Sequence, residues 1–341
     1  MKIAIISVTN KGKLLSKKLK NILDKDSTVI LTDIYYKNVK KSMPILFDKY
    51  DAIIAIMASG ILIRSIAPLI NSKITDPAIL NMDENGKYVI SVLSGHMGGA
   101  NKLTLKIANL INSEAIITTA TDVNQKLGID TLANDLFLEI ENPGSIVHIN
   151  KAILNGEKII IQTNDNFIED YIRKNTLEIN LLIENNDNLK QDEIIVVCND
   201  TILKLHKRRV VMGIGCRRNK SSKDILSAIE QSLRDINLPL SRIDLFTSAE
   251  IKKDEKGLLE LSKKLGIPIH FVELDKLKLF KSDVVQESEF VKSKFGIIGV
   301  CEPSALISAG FDSQLIYKKT AYDGVTISIA VSKKRNKLDW F

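Results

Sequence analysis

The stretch Leu93-Ser94-Gly95-His96-Met97-Gly98-Gly99-Ala100-Asn101 decides the reading of the fold. Upstream of it, Tyr88 to Leu93 is apolar and rich in β-branched residues. Downstream, Leu103, Ile107, Leu110 and Ile111 recur at helical spacing, so the nonapeptide reads as a strand-to-helix turn. Glycine lets the backbone take positive φ and lets a ligand approach closely, while a helix start offers unpaired N–H groups and a partial positive charge. The turn is therefore expected to cradle an anion or oxyanion through Ser94, Gly95, Gly98, Gly99 and Asn101. His96 is its one side chain whose ordinary pKa lies near neutrality, which makes it the expected general base. The plainer alternative is that the glycines only close a tight connection and His96 hydrogen-bonds a neighbouring loop.

Outward from this turn, the same strand-then-helix texture repeats. Ile3 to Val8 reads as a strand and Lys11 to Leu23 as an amphipathic helix; Ala52 to Met57 is a fully apolar strand, followed by Ala58-Ser59-Gly60 and a helix that stops near Pro68. A fourth unit opens at Ala115-Ile116-Ile117-Thr118-Thr119-Ala120-Thr121-Asp122. Continuous apolar strands alternating with helices imply an α/β domain with a parallel sheet, spanning residues 1–134, and ligands bind such sheets off the carboxyl ends of the strands. That rule sets Ser59 and Gly60, Ser94 to Asn101, and Thr121 with Asp122 along one edge. Arg64, one turn into its helix, would reach a bound carboxylate there or else form a surface salt bridge.

From about Leu136 to His206 the sequence becomes asparagine-rich and weakly patterned, with strands expected at Glu157 to Thr163, Glu178 to Glu184, Glu193 to Val197 and Ile202 to His206, and a helix at Ile146 to Leu154. This is read as a small α+β middle domain, residues 135–208. A C-terminal α/β domain, 209–333, starts with Val210-Val211-Met212-Gly213-Ile214-Gly215-Cys216-Arg217-Arg218, an apolar strand running into a Gly-x-Gly turn. A dinucleotide fingerprint would need glycine where Arg218 stands, and a P-loop would need glycine where Asn219 precedes Lys220. The paired arginines suit carboxylates instead. Ile243 to Thr247, Ile269 to Val272 and Phe295 to Val300 are expected strands, and Gln314 to Thr320 and Val325 to Ser332 a closing hairpin. Cys301-Glu302-Pro303-Ser304-Ala305-Leu306 opens a helix whose dipole would keep Glu302 ionised, or Glu302 simply caps it. Residues 334–341 form a basic tail.

The 341 residues are 45% hydrophobic and 26% charged, with a net charge of +7, as in an ordinary globular protein. No run approaches a membrane span and no signal peptide precedes Ile3, so the cytoplasm is the expected compartment. Cys198, Cys216 and Cys301 contain no CxxC, which argues against structural zinc and a disulfide framework. The positive charge fits a polyanionic partner, nucleic acid or a small polycarboxylate, or else only a solvated surface, since the lysines are scattered; no aromatic residues interleave with the basic clusters, so a nucleic-acid platform is weakly supported.

Ser94-Gly95-His96-Met97-Gly98-Gly99-Ala100-Asn101, with Ala58-Ser59-Gly60, Ile63-Arg64 and Thr119-Ala120-Thr121-Asp122, resembles the N-terminal domain of the cobalt-precorrin-5A hydrolases, the cobalamin biosynthesis protein G family. Gly213 to Arg218 and Cys301 to Leu306 resemble that family's C-terminal domain, which also occurs as a small stand-alone protein. The resemblance implies an enzyme of anaerobic cobalamin biosynthesis that opens the ring A δ-lactone of a cobalt-containing tetrapyrrole with water. It further implies release of a two-carbon unit as acetaldehyde to give cobalt-precorrin-5B, cobalt arriving with the substrate and no cofactor of the protein's own. The expected partners are the cobalt-corrinoid substrate and neighbouring pathway enzymes, with neither nucleic acid nor membrane.

Lactone hydrolysis needs an activated water and donors aimed at an oxygen that gains charge. His96 would supply the base, N–H groups near Gly98 and Gly99 the donors, and Asp122 or Glu302 would assist proton transfers. Arg64, Arg217 and Arg218 would hold the carboxylate arms of a substrate placed between the first and third domains. The competing readings are a non-catalytic corrinoid carrier and a nucleotide-dependent regulator, the latter disfavoured by both broken phosphate motifs.

Overall fold

The computed structural model describes residues 1–175, 180–285 and 287–333, so the expected basic tail at 334–341 and the start of the strand expected at Glu178 lie outside the described residues. The chain divides into two compact units, Met1–Asn134 and the remainder from Asp135.

The first unit runs β1 (Lys2–Ser7), α1 (Asn10–Leu23), β2 (Leu31–Tyr36), α2 (Val39–Lys49), β3 (Ala52–Ile56), α3 (Ser59–Ile66), β4 (Ala78–Met82), β5 (Tyr88–Leu93), α4 (Ala100–Ile111), β6 (Glu114–Ile116), α5 (Ala120–Val123) and α6 (Ile129–Asp135). Its sheet has the order β2-β1-β3-β4-β5-β6. β3 is apolar and buried at every position, because helices cover both faces of the sheet. Ile3, Ile5, Ile54 and Leu80 pack with Leu19, Leu23, Leu103 and Ile107 of α1 and α4 on one face. Ala4, Ile6, Ile53 and Ile79 meet Met43, Leu46, Leu62 and Ile66 of α2 and α3 on the other.

The α/β class stands, with one reversal inside it. β2, β1, β3 and β4 are mutually parallel, but β5 pairs antiparallel with β4 and β6 then follows β5. A five-residue turn causes this. The Asp83 carboxylate accepts from the Asn85 and Tyr88 N–H groups at 2.8 Å each, and Gly86 takes φ 70°, so the chain doubles back without a crossover helix. Leu93 therefore ends opposite Ile79, at the start of β4, whereas Ser59 lies beyond the other end.

The second unit continues with β7 (Leu138–Ile140), α7 (Ile146–Leu154), β8 (Ile159–Gln162), α8 (Phe167–Asn175), β9 (Leu181–Glu184), β10 (Glu193–Cys198) and β11 (Thr201–Lys207), whose sheet has the order β7-β11-β10-β8-β9. Then come β12 (Val210–Cys216), α9 (Ser222–Asp235), β13 (Leu245–Ala249), α10 (Lys256–Leu265), β14 (Ile269–Val272), α11 (Leu274–Leu279), α12 (Glu289–Phe295), α13 (Cys301–Ala309), β15 (Gln314–Tyr322) and β16 (Val325–Val331), giving a third sheet of order β14-β13-β12-β16-β15. The strand expected at Phe295 to Val300 is instead the end of α12, closed by Gly296 at φ 69°, and a turn. The Gly-x-Gly expected as a turn lies inside β12. A Cβ on Gly213 would sit 2.0 Å from the Cys301 carbonyl oxygen and one on Gly215 2.5 Å from Thr326 Oγ1, so these glycines admit the start of α13 and the neighbouring strand. Arg242, fully buried, ties the two sheets of this unit together: Nε donates to the Leu136 carbonyl at 2.7 Å, Nη1 to Asp244 at 2.7 Å, and Nη2 to the Arg208 carbonyl. Among the described residues no helix is long and apolar enough to cross a membrane.

Candidate functional site

The turn after β5 is closed on itself. Gly99 N–H donates to the His96 carbonyl at 3.0 Å, Ala100 N–H to Ser94 at 3.2 Å and Asn101 N–H to Gly95 at 3.0 Å. These helix-start donors are spent on the turn's own carbonyls, so the expected oxyanion cradle at Gly99 is corrected: that N–H is committed within the loop. The glycines serve packing. A Cβ on Gly95 would lie 2.8 Å from Asn101 Oδ1, and one on Gly98 2.6 Å from the Ser94 Cβ. Ser94 itself is buried with φ 56°. Gly99 adopts φ 82°, a left-handed start to α4 that favours glycine.

This construction fixes two side chains that face α5 and α6. His96 Nε2 lies 2.5 Å from Asp122 Oδ2 and 3.2 Å from Thr121 Oγ1, while Nδ1 lies 3.1 Å from Asp130 Oδ2. Asn101, buried in α4, accepts from Ser91 Oγ at 2.6 Å and donates through Nδ2 to Thr119 Oγ1 and Asp122 Oδ2, both at 3.0 Å. The His96 side chain is 8% exposed and that of Asp130 7%, whereas Asp122 keeps 30% of its surface open. Burial alone would push the imidazole pKa down, but hydrogen bonds and charge from Asp122 and Asp130 more than offset it and raise it to about 9. The raised pKa favours the cationic form of His96, seated between two carboxylates.

Ser59, Gly60 and Arg64 lie at the other end of the sheet, because β5 and β6 run against β3 and β4. Ser59 Oγ donates to Asn81 Oδ1 at 2.5 Å. The exposed guanidinium of Arg64 folds back over Gly60, 3.3 Å from where a Cβ would stand. The single polar edge expected from the sequence is therefore two edges, one carrying Ser59, Gly60 and Arg64, the other Ser94 to Asn101 with Thr121 and Asp122.

In the second unit, Arg217 and Arg218 line a cavity of about 860 Å³ that also exposes Lys252, Lys253, Lys294 and Lys319. Six cations face two acids, Glu250 and Asp254, over an apolar wall that includes Val291, Phe295 and Val300. Arg218 makes a loose pair with Asp254 at 3.6 Å, both side chains largely exposed, an arrangement worth at most about 1 kcal/mol and readily exchanged for a ligand carboxylate. Beneath the loop, Glu255 is buried, accepting from Asn219 N–H at 3.2 Å and pairing with Lys252 at 3.1 Å, which braces the arginine turn against α10. Glu302 is also buried; its Oε1 accepts from Lys319 N–H at 2.9 Å, and burial pushes its carboxyl pKa up. Through that bond Glu302 braces α13 against β15.

Asp130, Asn81 and Glu255 were not legible as site residues. Asp130 carried one faint signal, an acidic residue in the first turn of a short helix after Gly128. Among the described residues no group of three or more His, Cys, Asp or Glu side chains is arranged to hold a metal ion.

The geometry can be set beside known proteins. The family model described as "Cobalamin synthesis G N-terminal" matches residues 41–122, and "Cobalamin synthesis G C-terminus" matches residues 210–330. The chain is 33% identical over 346 residues to a Methanocaldococcus jannaschii protein named "Probable cobalt-precorrin-5A hydrolase", covering 97% of this chain and 99% of that one. It is 27% identical to the cobalt-precorrin-5A hydrolase of Priestia megaterium, covering 96% and 94%. The crystal structure of a cobalamin biosynthesis protein G homolog from Sulfolobus solfataricus superposes with a TM-score of 0.59 at 26% identity, over 97% of each chain.

Proposed function

Because this chain belongs to the cobalamin synthesis G family, we propose that it is a cobalt-precorrin-5A hydrolase, which opens the ring A δ-lactone of its substrate with water and releases the two-carbon unit as acetaldehyde, leaving cobalt-precorrin-5B. The observation that carries the reading is the cavity of the second unit. At about 860 Å³ it suits a large ligand, and its lining cations other than Lys252, which Glu255 holds, match over an apolar wall a flat hydrocarbon ring edged with carboxylates. Arg217 and Arg218 take carboxylate arms. Cobalt travels with the substrate as cargo.

In the first unit, the His96–Asp122 pair held by Asn101 is a device for moving a proton: a partly open carboxylate hydrogen-bonded to a buried imidazole. Its loss should cost on the order of 10²–10⁴-fold in kcat. The test is acetaldehyde release from cobalt-precorrin-5A by purified wild type, His96→Gln and Asp122→Asn. The Arg217→Ala, Arg218→Ala double variant should raise KM more than it lowers kcat, because its contacts persist from ground state to transition state. A corrinoid carrier would shift the ligand's absorption spectrum and release no acetaldehyde, and that outcome would replace the hydrolase reading.

A further inference from the structure

The two ring nitrogens of His96 each face a carboxylate oxygen, Nε2 at 2.5 Å from Asp122 and Nδ1 at 3.1 Å from Asp130. Carboxylates accept, and a neutral imidazole has only one N–H to give. With both carboxyls ionised, both contacts are hydrogen bonds together only when both nitrogens carry protons. A solitary Asp–His pair would leave the second nitrogen able to take a proton from water, so the second carboxylate changes what the histidine can do.

We propose that Asp130 is a positioning residue for the hydrolytic reaction, holding His96 as the two-proton cation so that the group taking the proton from water is Asp122. The inference rests on the hydrolase reading above and assigns roles within it. Asp122 Oδ2 is engaged by His96 and Asn101, and the side chain as a whole keeps 30% of its surface open. In the step assigned here, the attacking water gives one proton to Asp122 while its oxygen bonds to the lactone carbonyl carbon. The ring C–O bond then breaks and the departing oxygen takes that proton from Asp122. Water is consumed, Asp122 returns to its starting state, and His96 stays charged throughout, balancing the carboxylate. Asp130, 7% exposed, acts through the ring. The charged groups acting on that ring are Asp130 from α6 and Asp122 from α5, with uncharged Thr121 beside Nε2.

Asp130→Asn keeps the shape and removes the charge, and Asp130→Glu restores a carboxylate. The ring nitrogens of ¹⁵N-labelled His96 are followed by NMR against pH in the full chain, without substrate. In the wild type both should stay protonated at pH 8, and Asp130→Asn should lower the titration by about one pH unit or more, a tenfold change in the proton's affinity, with Asp130→Glu recovering most of it. With substrate, the alkaline limb of the kcat profile should move down by the same interval in Asp130→Asn while KM holds. A wild-type His96 that titrates near its ordinary value, or an Asp130→Asn titration identical to wild type, overturns the assignment. A wild type that releases no acetaldehyde while its His96 behaves as described overturns the hydrolase reading instead, so the two failures are distinguishable.

Discussion

His96 shows how much a single side chain can be changed by what surrounds it. Its position in a glycine-rich turn was readable from Ser94 to Asn101, because strand and helix periodicities bracket those residues. Its charge was not, because that depends on Asp130, 34 positions from it and joined by no motif spacing. The same raised pKa makes a stability prediction. A histidine whose pKa rises from 6.5 to about 9 on folding stabilises the folded state fully below pH 6.5, and that contribution is lost as pH climbs through 9. The shift corresponds to at most roughly 3 kcal/mol. Urea titrations should therefore show the first unit weakening between pH 6.5 and 9, and His96→Gln should flatten that slope.

Secondary-structure elements were legible where one period dominates, as in α1, β3 and α4, and failed where a glycine has two meanings. Gly213 and Gly215 look like a phosphate-binding turn because that is the commoner use of Gly-x-Gly after a strand, yet here they thin β12 so that α13 can cross it. Gly213→Ala accordingly meets backbone, not a movable side chain, at 2.0 Å. It should cost about 1–3 kcal/mol or more, seen as a lowered unfolding midpoint. The reversal at β5 had a signal in Asn85-Gly86 between two apolar runs, a dipeptide favoured in hairpin turns. The rhythm of βα units on either side obscured it.

At the scale of whole units, Arg242 ties together the second and third sheets, which share one compact unit. Its guanidinium is spent on the Leu136 and Arg208 carbonyls and on Asp244, and its Cζ lies 5.1 Å from the centroid of the Phe167 ring. Arg242→Met would strip the Leu136 and Arg208 carbonyls of this donor and leave Asp244 only the Val210 N–H, a loss of about 1–3 kcal/mol. Chemical denaturation followed by probes in both sheets should show both transitions shifting together. The sequence concealed this tie because a lone arginine after Pro239 reads as surface. The counter-running β5 gives the first unit two separate rims, set apart by β4, whose five residues span roughly 16 Å at about 3.3 Å each. Beyond about 10 Å without shared partners, perturbations combine additively. Pairing Arg64→Ala with Asp122→Asn in a thermodynamic cycle should therefore yield a coupling energy near zero. Natural variation can then reshape what one rim recognises without detuning what the other does.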